Sequence, residues 1–156
     1  MGIERVAIVG AGAWGTALAN TIARAGRSVA LIARDEQAAK TIAQTRKNPR
    51  LPNIDVDKRI VVTSASTSVV DSDAILLAVP AQSLRAAVKA LPPLRPTIPL
   101  VIGAKGIEQH SCKYMSDVVT EILPQAPVAI LSGPGFASEV GRGLPAAVTL
   151  AAKDEA

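Results

Sequence analysis

The sequence predicts an α/β fold, a doubly wound and mostly parallel sheet with helices on both faces. Short apolar segments rich in Val and Ile alternate with longer segments in which apolar residues recur at helical spacing. Strand, helix and strand repeating in this order indicate parallel strands joined by right-handed crossovers. The 156 residues are enough for one domain, because a chain of this length buries roughly 70% of its unfolded surface.

Six aliphatic runs are predicted strands, and each is typical of a strand buried on both faces of a sheet. They lie at residues 6–9, 29–32, 60–62, 74–79, 100–102 and 128–131, and a weaker seventh lies at residues 146–150. Four helices are predicted between them, each bounded by Gly, Pro or an acidic first turn. These helices lie at residues 14–25, 35–46, 81–91 and 111–123.

Two segments interrupt this alternation. Residues 47–59 carry two prolines, asparagine and mixed charge, which predicts an ordered loop or a lid. Residues 92–99 hold four prolines and mark the passage from one helix to the next strand.

The composition restricts the core and the partners. Hydrophobic residues make up 49% of the chain and aromatic residues only 2%, so the core must consist of Ala, Val, Ile and Leu. This excludes a disordered chain and an aromatic surface for stacking bases. The 17 Lys and Arg residues exceed the 13 Asp and Glu residues, but they are spread along the chain. That distribution argues against a nucleic-acid partner and fits a protein with phosphate ligands.

The single cysteine, Cys112, excludes an intramolecular disulfide, and the chain opens on a strand without a signal peptide. We therefore expect a cytoplasmic protein. No apolar run approaches the roughly 18 residues of a membrane span, and no spacing of His, Cys, Asp and Glu residues indicates a metal site.

A glycine-rich turn follows the first strand and opens the first helix. Its sequence, GAGAWG at residues 10–15, has the G-x-G-x-x-G spacing of a Rossmann-type dinucleotide-binding domain. In that motif Gly10 permits the tight turn, Gly12 lets the backbone approach a pyrophosphate, and Gly15 allows the helix and strand to pack closely. The free N–H groups and the dipole at the helix start then hold the phosphates.

The end of the second strand indicates which dinucleotide binds. An acidic residue there accepts a hydrogen bond from the ribose of NAD, whereas an arginine pairs with the 2′-phosphate of NADP. Here Arg34 comes first and Asp35 falls in the first turn of the next helix. We predict NADP (NADPH) as the cofactor, with NAD also accepted.

Three further segments of unusual composition follow predicted strands. Pro80 ends the fourth strand and starts a helix, residues 104–108 follow the fifth, and residues 132–139 follow the sixth. Ligands of an open α/β sheet lie beyond the carboxyl ends of its strands. We therefore expect these segments, Pro80 included, to border the cofactor site.

With these motifs in order, the sequence resembles the bacterial-type NAD(P)-dependent glycerol-3-phosphate dehydrogenases over essentially its whole length. The resemblance rests on GAGAWGTALA at 10–19, Arg34 of IARD, NPRLPNI at 48–54, AVPAQSLR at 78–85, KGIE at 105–108, and GPGFASEV at 133–140 followed by GLPAAVTLAA. It implies reversible hydride transfer between the nicotinamide and dihydroxyacetone phosphate, a phosphorylated triose. The product would be sn-glycerol 3-phosphate for phospholipid synthesis.

The resemblance also implies roles for individual residues. Ala13, Trp14, Arg34 and Ala137 would contact the cofactor, and Lys105 would contact both the cofactor and the substrate. Gly133 and Gly135 would contact the substrate. The family usually has Ser or Thr at position 135, so only backbone contact is expected from Gly135.

No catalytic proton donor is expected among these residues. By the resemblance, residues 1–156 form the cofactor-binding domain, and the proton-donating lysine belongs to a helical domain that follows it. We expect the fragment alone to be inactive. The sequence leaves the oligomeric state of the full-length protein open, with a homodimer as one alternative. Two other functions stay open, namely another two-domain dehydrogenase acting on a hydroxy acid or nucleotide sugar, and a dinucleotide sensor without catalysis.

Overall fold

The computed structural model describes residues 2–153 and contains one seven-stranded sheet. Its strands are β1 (Arg5–Val9), β2 (Ser28–Ile32), β3 (Val61–Thr63), β4 (Ala74–Leu77), β5 (Leu100–Ile102), β6 (Val128–Ser132) and β7 (Thr149–Ala152). Its helices are α1 (Ala13–Arg24), α2 (Glu36–Thr45), α3 (Ala81–Lys89), α4 (Met115–Ile122) and α5 (Ala137–Arg142), with a short 3₁₀ helix at Ser66–Val69. The predicted domain boundaries, Met1 and Ala156, lie outside the described residues.

The strands are arranged in the order β3-β2-β1-β4-β5-β6-β7. Strands β1 to β6 are all parallel to their neighbours, and β7 pairs antiparallel with β6. The predicted doubly wound, mostly parallel sheet is therefore confirmed. The order reverses direction between β1 and β4, which is the point where such sheets bind ligands.

Two apolar clusters cover the two faces of the sheet. One joins Ile8 and Leu31 of the sheet to Leu18 of α1 and Ile42 of α2. The other joins strands β4 and β5 to α3 and α4, for example through Leu84 and Val118. The crossovers from β1 to β3 and those from β4 to β6 run across the sheet in opposite directions. Because parallel crossovers are right-handed, their helices lie on opposite faces of the sheet.

The strand predictions need correction at the edges of the sheet. Burial on both faces is right for β4, which is buried throughout. It is wrong for β3, where Val61 at the sheet edge is exposed, and for β6, where Ile130 is 39% exposed. Strand β4 also ends at Leu77, two residues earlier than predicted.

Helix α4 begins at Met115, four residues later than predicted. Residues 109–112 form a turn closed by the Cys112 N–H, which donates to the Glu108 carbonyl oxygen at 2.9 Å. Cys112 has a φ of 55°, a left-handed conformation that cannot continue an α-helix. The spacing of apolar residues gives no signal for this turn, so the predicted helix begins too early.

The segment after β6 contains helix α5, which the sequence did not predict because six residues are too few to show a period. Helix α5 packs against α1, where the Arg24 guanidinium donates to the carbonyl oxygens of Val140 (2.8 Å) and Gly141 (3.0 Å). The chain thus stays at the carboxyl edge of the sheet, and the next strand, β7, runs antiparallel to β6. It lies at Thr149–Ala152 instead of residues 146–150.

The loop at residues 47–59 is ordered and docked against α1. Leu51, Ile54 and Val56 are buried, and the Asn20 side chain of α1 bonds both the Asp55 carbonyl oxygen (2.9 Å) and the Asp57 N–H (3.0 Å). Of the two alternatives predicted for this segment, the structure shows the ordered loop.

Between residues 2 and 153, the structure contains no helix with the length and apolar character needed to cross a bilayer.

Candidate functional site

A cavity of about 970 Å³ lies at the carboxyl ends of β1, β2, β4 and β5. Its walls come from the glycine-rich turn, the residues after β2, one face of α3 along its whole length, the segment after β5 and the start of α5. This is the point where the strand order reverses. The volume is at the upper end of the range for small-molecule and cofactor sites.

The glycine-rich turn forms the floor of this cavity, and its geometry requires glycine at two positions. Gly10 has a φ of 113°, and a Cβ atom there would lie 2.6 Å from the Ala78 carbonyl oxygen. A Cβ on Gly15 would lie 2.0 Å from the Gly10 carbonyl oxygen. These two glycines therefore let α1 pack directly on β1 and β4.

Gly12 serves a different purpose, because a Cβ atom there would meet nothing within 4 Å. The fold does not need glycine at this position, so the open space is available to a ligand. Gly12 is the N-cap of α1 and makes no side-chain cap, which leaves the first N–H groups of the helix free. These N–H groups and the open space suit a phosphate group.

Arg34 and Asp35 follow β2 at the rim of the cavity. The Asp35 carboxylate accepts from the Ala38 N–H at 2.8 Å and caps α2. This bond lowers the pKa of Asp35, and Arg34 lowers it further. Arg34 is 86% exposed and lies 3.5 Å from Asp35, a surface contact too weak to prevent the guanidinium from meeting a ligand.

Trp14 spans the edge of the sheet from the glycine-rich turn towards β5 and β6. Its Nε1 atom is 3.3 Å from the place where a Cβ of Gly103 would lie, and its Cη2 atom is 3.9 Å from that of Gly135. It packs in both apolar clusters that border α1. Trp14 thus combines a cavity wall with a packing role.

Lys105 follows β5, and its ammonium group donates to the Gly133 carbonyl oxygen at 2.9 Å. An ammonium has three donors, so this bond leaves two for a ligand. Lys105 lines the large cavity and also an adjoining cleft of about 360 Å³ between α4 and β6. It therefore stands at the border between two spaces.

Gly106 and α3 support the position of Lys105. Gly106 has a φ of 137°, and the Gln82 side chain of α3 bonds the Ile107 carbonyl oxygen and the Gln109 N–H at 2.9 and 3.0 Å. The Arg85 guanidinium binds both carboxylate oxygens of Glu108 at 2.9 Å each. Glycine is needed at position 106 because its φ is disfavoured for other residues.

An ionic cluster surrounds Arg85. Its guanidinium also donates to Glu121 at 3.0 Å, and Lys113 donates to the same carboxylate at 2.6 Å. The bonds from Arg85 lower the pKa of Glu108 to about 2 and that of Glu121 to about 2. The cluster links α3, the segment after Lys105, and α4.

These lowered pKa values predict acid sensitivity. A carboxyl whose pKa is lower in the folded state stabilises the fold above its unfolded value of 4.5, and this stabilisation is lost as the pH falls towards about 2. Replacing Arg85 with Met removes the largest cause of both pKa shifts, and leaves the smaller contributions of Ser111 to Glu108 and of Lys113 to Glu121. We expect the variant to be less stable than the wild type near neutral pH but to lose less stability in this acid range.

Urea unfolding at about pH 7 and about pH 3 measures this difference. The control is Lys40→Met, which breaks an exposed pair with Glu36 on α2. Equal losses of stability in the wild type and the Arg85 variant would show that the cluster does not carry the acid sensitivity.

The structure brings most of the predicted site residues to one cavity. The residues that line it are Gly10, Gly12, Ala13, Trp14, Arg34, Pro80, Lys105, Gly135 and Ala137. Gly15 does not line the cavity; it allows α1 to pack closely on the turn at Gly10. Gly133 does not line it either, but its carbonyl oxygen accepts a hydrogen bond from Lys105. Their roles toward ligands remain predictions.

Sequence reasoning missed several residues at the cavity. Arg50 lines it, as do Ser66, Ser83 and Gly103. Phe136 also lines it; its segment, residues 132–139, was expected to border the site, but Phe136 was given no role of its own. Arg50 comes from the loop at 47–59. In the sequence this loop does not directly follow any of the strands after which ligand residues were expected. The only available signal was the NPRLPNI segment, to which the sequence assigned no role.

In the described part of the chain, no three His, Cys, Asp or Glu side chains converge as metal ligands.

Comparisons with known proteins agree with this arrangement. The family model described as NAD-dependent glycerol-3-phosphate dehydrogenase N-terminus matches residues 5–156. A glycerol-3-phosphate dehydrogenase (NAD(P)+) of Bradyrhizobium sp. (strain ORS 278) is 56% identical over 154 residues, covering 98% of this chain and 47% of that protein. The chain thus spans about half the length of the curated relatives it matches.

Solved structures show the same fold. Glycerol-3-phosphate dehydrogenase from Coxiella burnetii has a TM-score of 0.85 at 30% identity, covering 97% of this chain and 47% of its own. A UDP-D-ManNAc dehydrogenase from Pyrococcus horikoshii has a TM-score of 0.71 at 15% identity, covering 89% of this chain and 38% of its own. The second likeness shows the fold alone.

Proposed function

The chain belongs to the family of N-terminal domains of NAD-dependent glycerol-3-phosphate dehydrogenases, and from this premise we propose that its cavity binds NADPH, and NADH less tightly. The observation that carries the proposal is the cavity of about 970 Å³ at the reversal point of the sheet. A Cβ atom on Gly12 would meet nothing within 4 Å, so space is open beside the N–H groups at the start of α1.

Titration of the purified chain with NADPH tests this proposal. Trp14 is the only tryptophan and lines the cavity, so a bound dihydronicotinamide should quench its fluorescence. We expect saturable quenching with one molecule bound per chain. Absence of quenching, together with absence of heat in calorimetry, would refute the proposal.

Arg34 is proposed to select NADPH through the 2′-phosphate, because its guanidinium is exposed at the cavity rim. We expect Arg34→Ala to weaken NADPH binding about tenfold or more, the usual effect of losing a charged hydrogen bond. NADH binding should stay within about twofold, since NADH lacks that phosphate.

The matched control is Arg27→Ala, since Arg27 lies before β2 and pairs with Glu4 at the opposite edge of the sheet. Affinities should be measured by Trp14 fluorescence for both dinucleotides. Equal affinities for NADPH and NADH that Arg34→Ala leaves unchanged would refute the selective role.

The proposed substrate is dihydroxyacetone phosphate, and Lys105 is proposed to contact it. Lys105 borders both the large cavity and the smaller cleft, and its bond to the Gly133 carbonyl oxygen leaves two of its three donors for a ligand. When bound, the nicotinamide supplies the hydride. An ammonium at this border stabilises the negative charge that develops on the carbonyl oxygen, or binds the phosphate of the triose. Gly133 and Gly135 offer only backbone groups to the substrate.

A second, helical domain is proposed to complete the enzyme and supply the proton-donating lysine. The chain covers 47% of its relative's length, and apolar side chains near β6 and β7 are exposed. These side chains are Ile130, Phe136, Leu144, Val148 and Leu150. A helical domain packed on this edge would cover them and close the site around Lys105.

Activity measurements test this second proposal. We expect the 156-residue chain to bind NADPH without reducing dihydroxyacetone phosphate, and the full-length protein to carry out the reduction. The cytoplasm is the proposed location of the full-length protein. Turnover by the short chain at the rate of a full-length dehydrogenase would refute the need for a second domain. Full-length protein that binds NADPH but turns over no substrate in a panel would indicate a dinucleotide sensor.

A further inference from the structure

Asn48 is a buried polar residue that opens the NPRLPNI segment and has no role in the proposed function. It lies in the loop at 47–59 and is 3% exposed. Its side-chain nitrogen donates to the Ala11 carbonyl oxygen at 3.0 Å and to the Thr16 hydroxyl at 2.7 Å. Its side-chain oxygen accepts from the Arg50 N–H at 3.0 Å. One amide thus joins the loop to the glycine-rich turn and to α1.

The contact with Ala11 controls the neighbouring N–H group. The Ala11 carbonyl and the Gly12 N–H belong to one planar trans peptide, so they point in opposite directions. A carbonyl held on Asn48 therefore directs the Gly12 N–H away from the loop. Among residues 2–153 this N–H donates to no backbone carbonyl, and Gly12 lines the cavity.

We infer that Asn48 is a positioning residue, which fixes the Ala11–Gly12 peptide so that the Gly12 N–H is presented to the phosphates of the dinucleotide. This inference rests on the proposed binding of NADPH. Asn48 contacts only the protein and acts through the turn.

The side chain must be an amide to do this. It donates two hydrogen bonds and accepts one, a combination that neither a carboxylate nor a hydroxyl provides. Its own position is fixed, because Leu51 and Ile54 of the same loop are buried against Ala17 and Val140. The loop therefore serves as a rigid support for the turn.

The test compares NADP⁺ binding by the wild type and Asn48→Asp, measured by calorimetry over a range of pH. The variant keeps the acceptor for the Arg50 N–H, but near neutral pH it cannot donate to the Ala11 carbonyl oxygen. We expect NADP⁺ affinity to fall about tenfold there, the effect of one lost hydrogen bond in the site.

Lowering the pH should restore binding in this variant. The introduced carboxyl is buried, which raises its pKa, and its protonated form can again donate to Ala11. Affinity relative to the wild type at the same pH should therefore recover as the pH falls. If Asn48 served only the stability of the fold, the NADP⁺ affinity of the folded variant would equal that of the wild type at every pH.

Each outcome of this comparison has a distinct meaning. Wild-type protein that fails to bind NADP⁺ would refute the proposed function and not the inference alone. Wild-type protein that binds, with an Asn48 variant that binds equally well or loses affinity without recovery in acid, would overturn the inference. The control is Asn53→Gly, since Asn53 is exposed in the same loop and its φ of 64° suits glycine.

A second variant covers the case in which Asn48→Asp does not fold. Thr16→Val removes the hydroxyl that accepts from Asn48, so the amide that bonds Ala11 is oriented by fewer hydrogen bonds and holds the Ala11–Gly12 peptide less firmly. We expect the Gly12 amide resonance to shift in the NMR spectrum and NADP⁺ affinity to fall about threefold. An unmoved resonance and unchanged affinity would also overturn the inference.

Discussion

Replacing Gly12 with Ala is expected to weaken NADPH binding about 100-fold while leaving the fold intact. A Cβ at this position meets nothing within 4 Å in the protein, so the added methyl group occupies only the space proposed for the pyrophosphate. Forcing a methyl group into a filled site typically costs 1–3 kcal/mol, the upper end of which corresponds to this loss. The free energy of unfolding should change by less than about 1 kcal/mol.

The matched variant is Gly15→Ala in the same turn. Its Cβ would lie 2.0 Å from the Gly10 carbonyl oxygen, so α1 must move away from β1. We expect the free energy of unfolding to fall by about 3 kcal/mol or more, with loss of NADPH binding.

Urea unfolding and NADPH titration of both variants separate the two effects. Loss of stability without loss of binding in Gly12→Ala would contradict the proposed position of the pyrophosphate. Normal stability of Gly15→Ala would contradict the close packing of α1 on β1.

Replacing Lys105 with Met is expected to lower kcat/KM for dihydroxyacetone phosphate in the full-length protein by about 10² to 10³-fold. This is the usual effect of removing one group that stabilises charge in the transition state. Lys105→Arg should restore little of the loss, because the planar guanidinium cannot place a point charge at the same position. Steady-state kinetics with NADPH measure both variants.

The control is Lys89→Met, an exposed lysine in the last turn of α3. Lys89 itself does not line the cavity, which this part of the chain borders through Ala87, Ala90 and Leu91. Its variant should keep kcat/KM within about twofold. A Lys105→Met enzyme that matches this control would remove Lys105 from the proposed mechanism.

Much of the fold was predictable from local pattern. Strand β4 and its neighbours are uninterrupted aliphatic runs, and burial on both faces is the reason for that composition. The glycine-rich turn was predictable for a related reason, because Gly10 and Gly15 stand where any other residue would collide with the backbone. Asp35 was predicted in the first turn of α2; it lies one residue before the helix and caps it.

Other features depend on contacts between distant residues. The aliphatic run of β6 resembles a buried strand, yet Ile130 is exposed at the cleft between α4 and β6. The late start of α4 depends on the turn at Cys112, and α5 depends on packing against α1 and the bonds from Arg24. None of these contacts has a periodic signal.

The residues of the candidate site also fall into two groups, those predictable from local pattern and those placed by contacts between distant residues. The residues at strand ends, such as Arg34, Pro80 and Lys105, were predictable because parallel strands direct their carboxyl ends to one edge. Arg50 and Asn48 reach the site from a loop that only folding brings to α1. Their types are ordinary in a loop, so composition gave no reason to choose them.

The sequence by itself therefore determined the doubly wound sheet, the family and the strand-end residues of the cavity, since each follows from local periodicity or from a short motif with a fixed steric need. Only the tertiary structure decided which faces stay exposed, how α5 and β7 return along the edge, and how Asn48 supports the turn. The reason is physical. Burial and side-chain hydrogen bonds depend on which segments meet in space. Ala11 and Asn48 lie 37 positions apart, and the sequence around either residue does not indicate their contact.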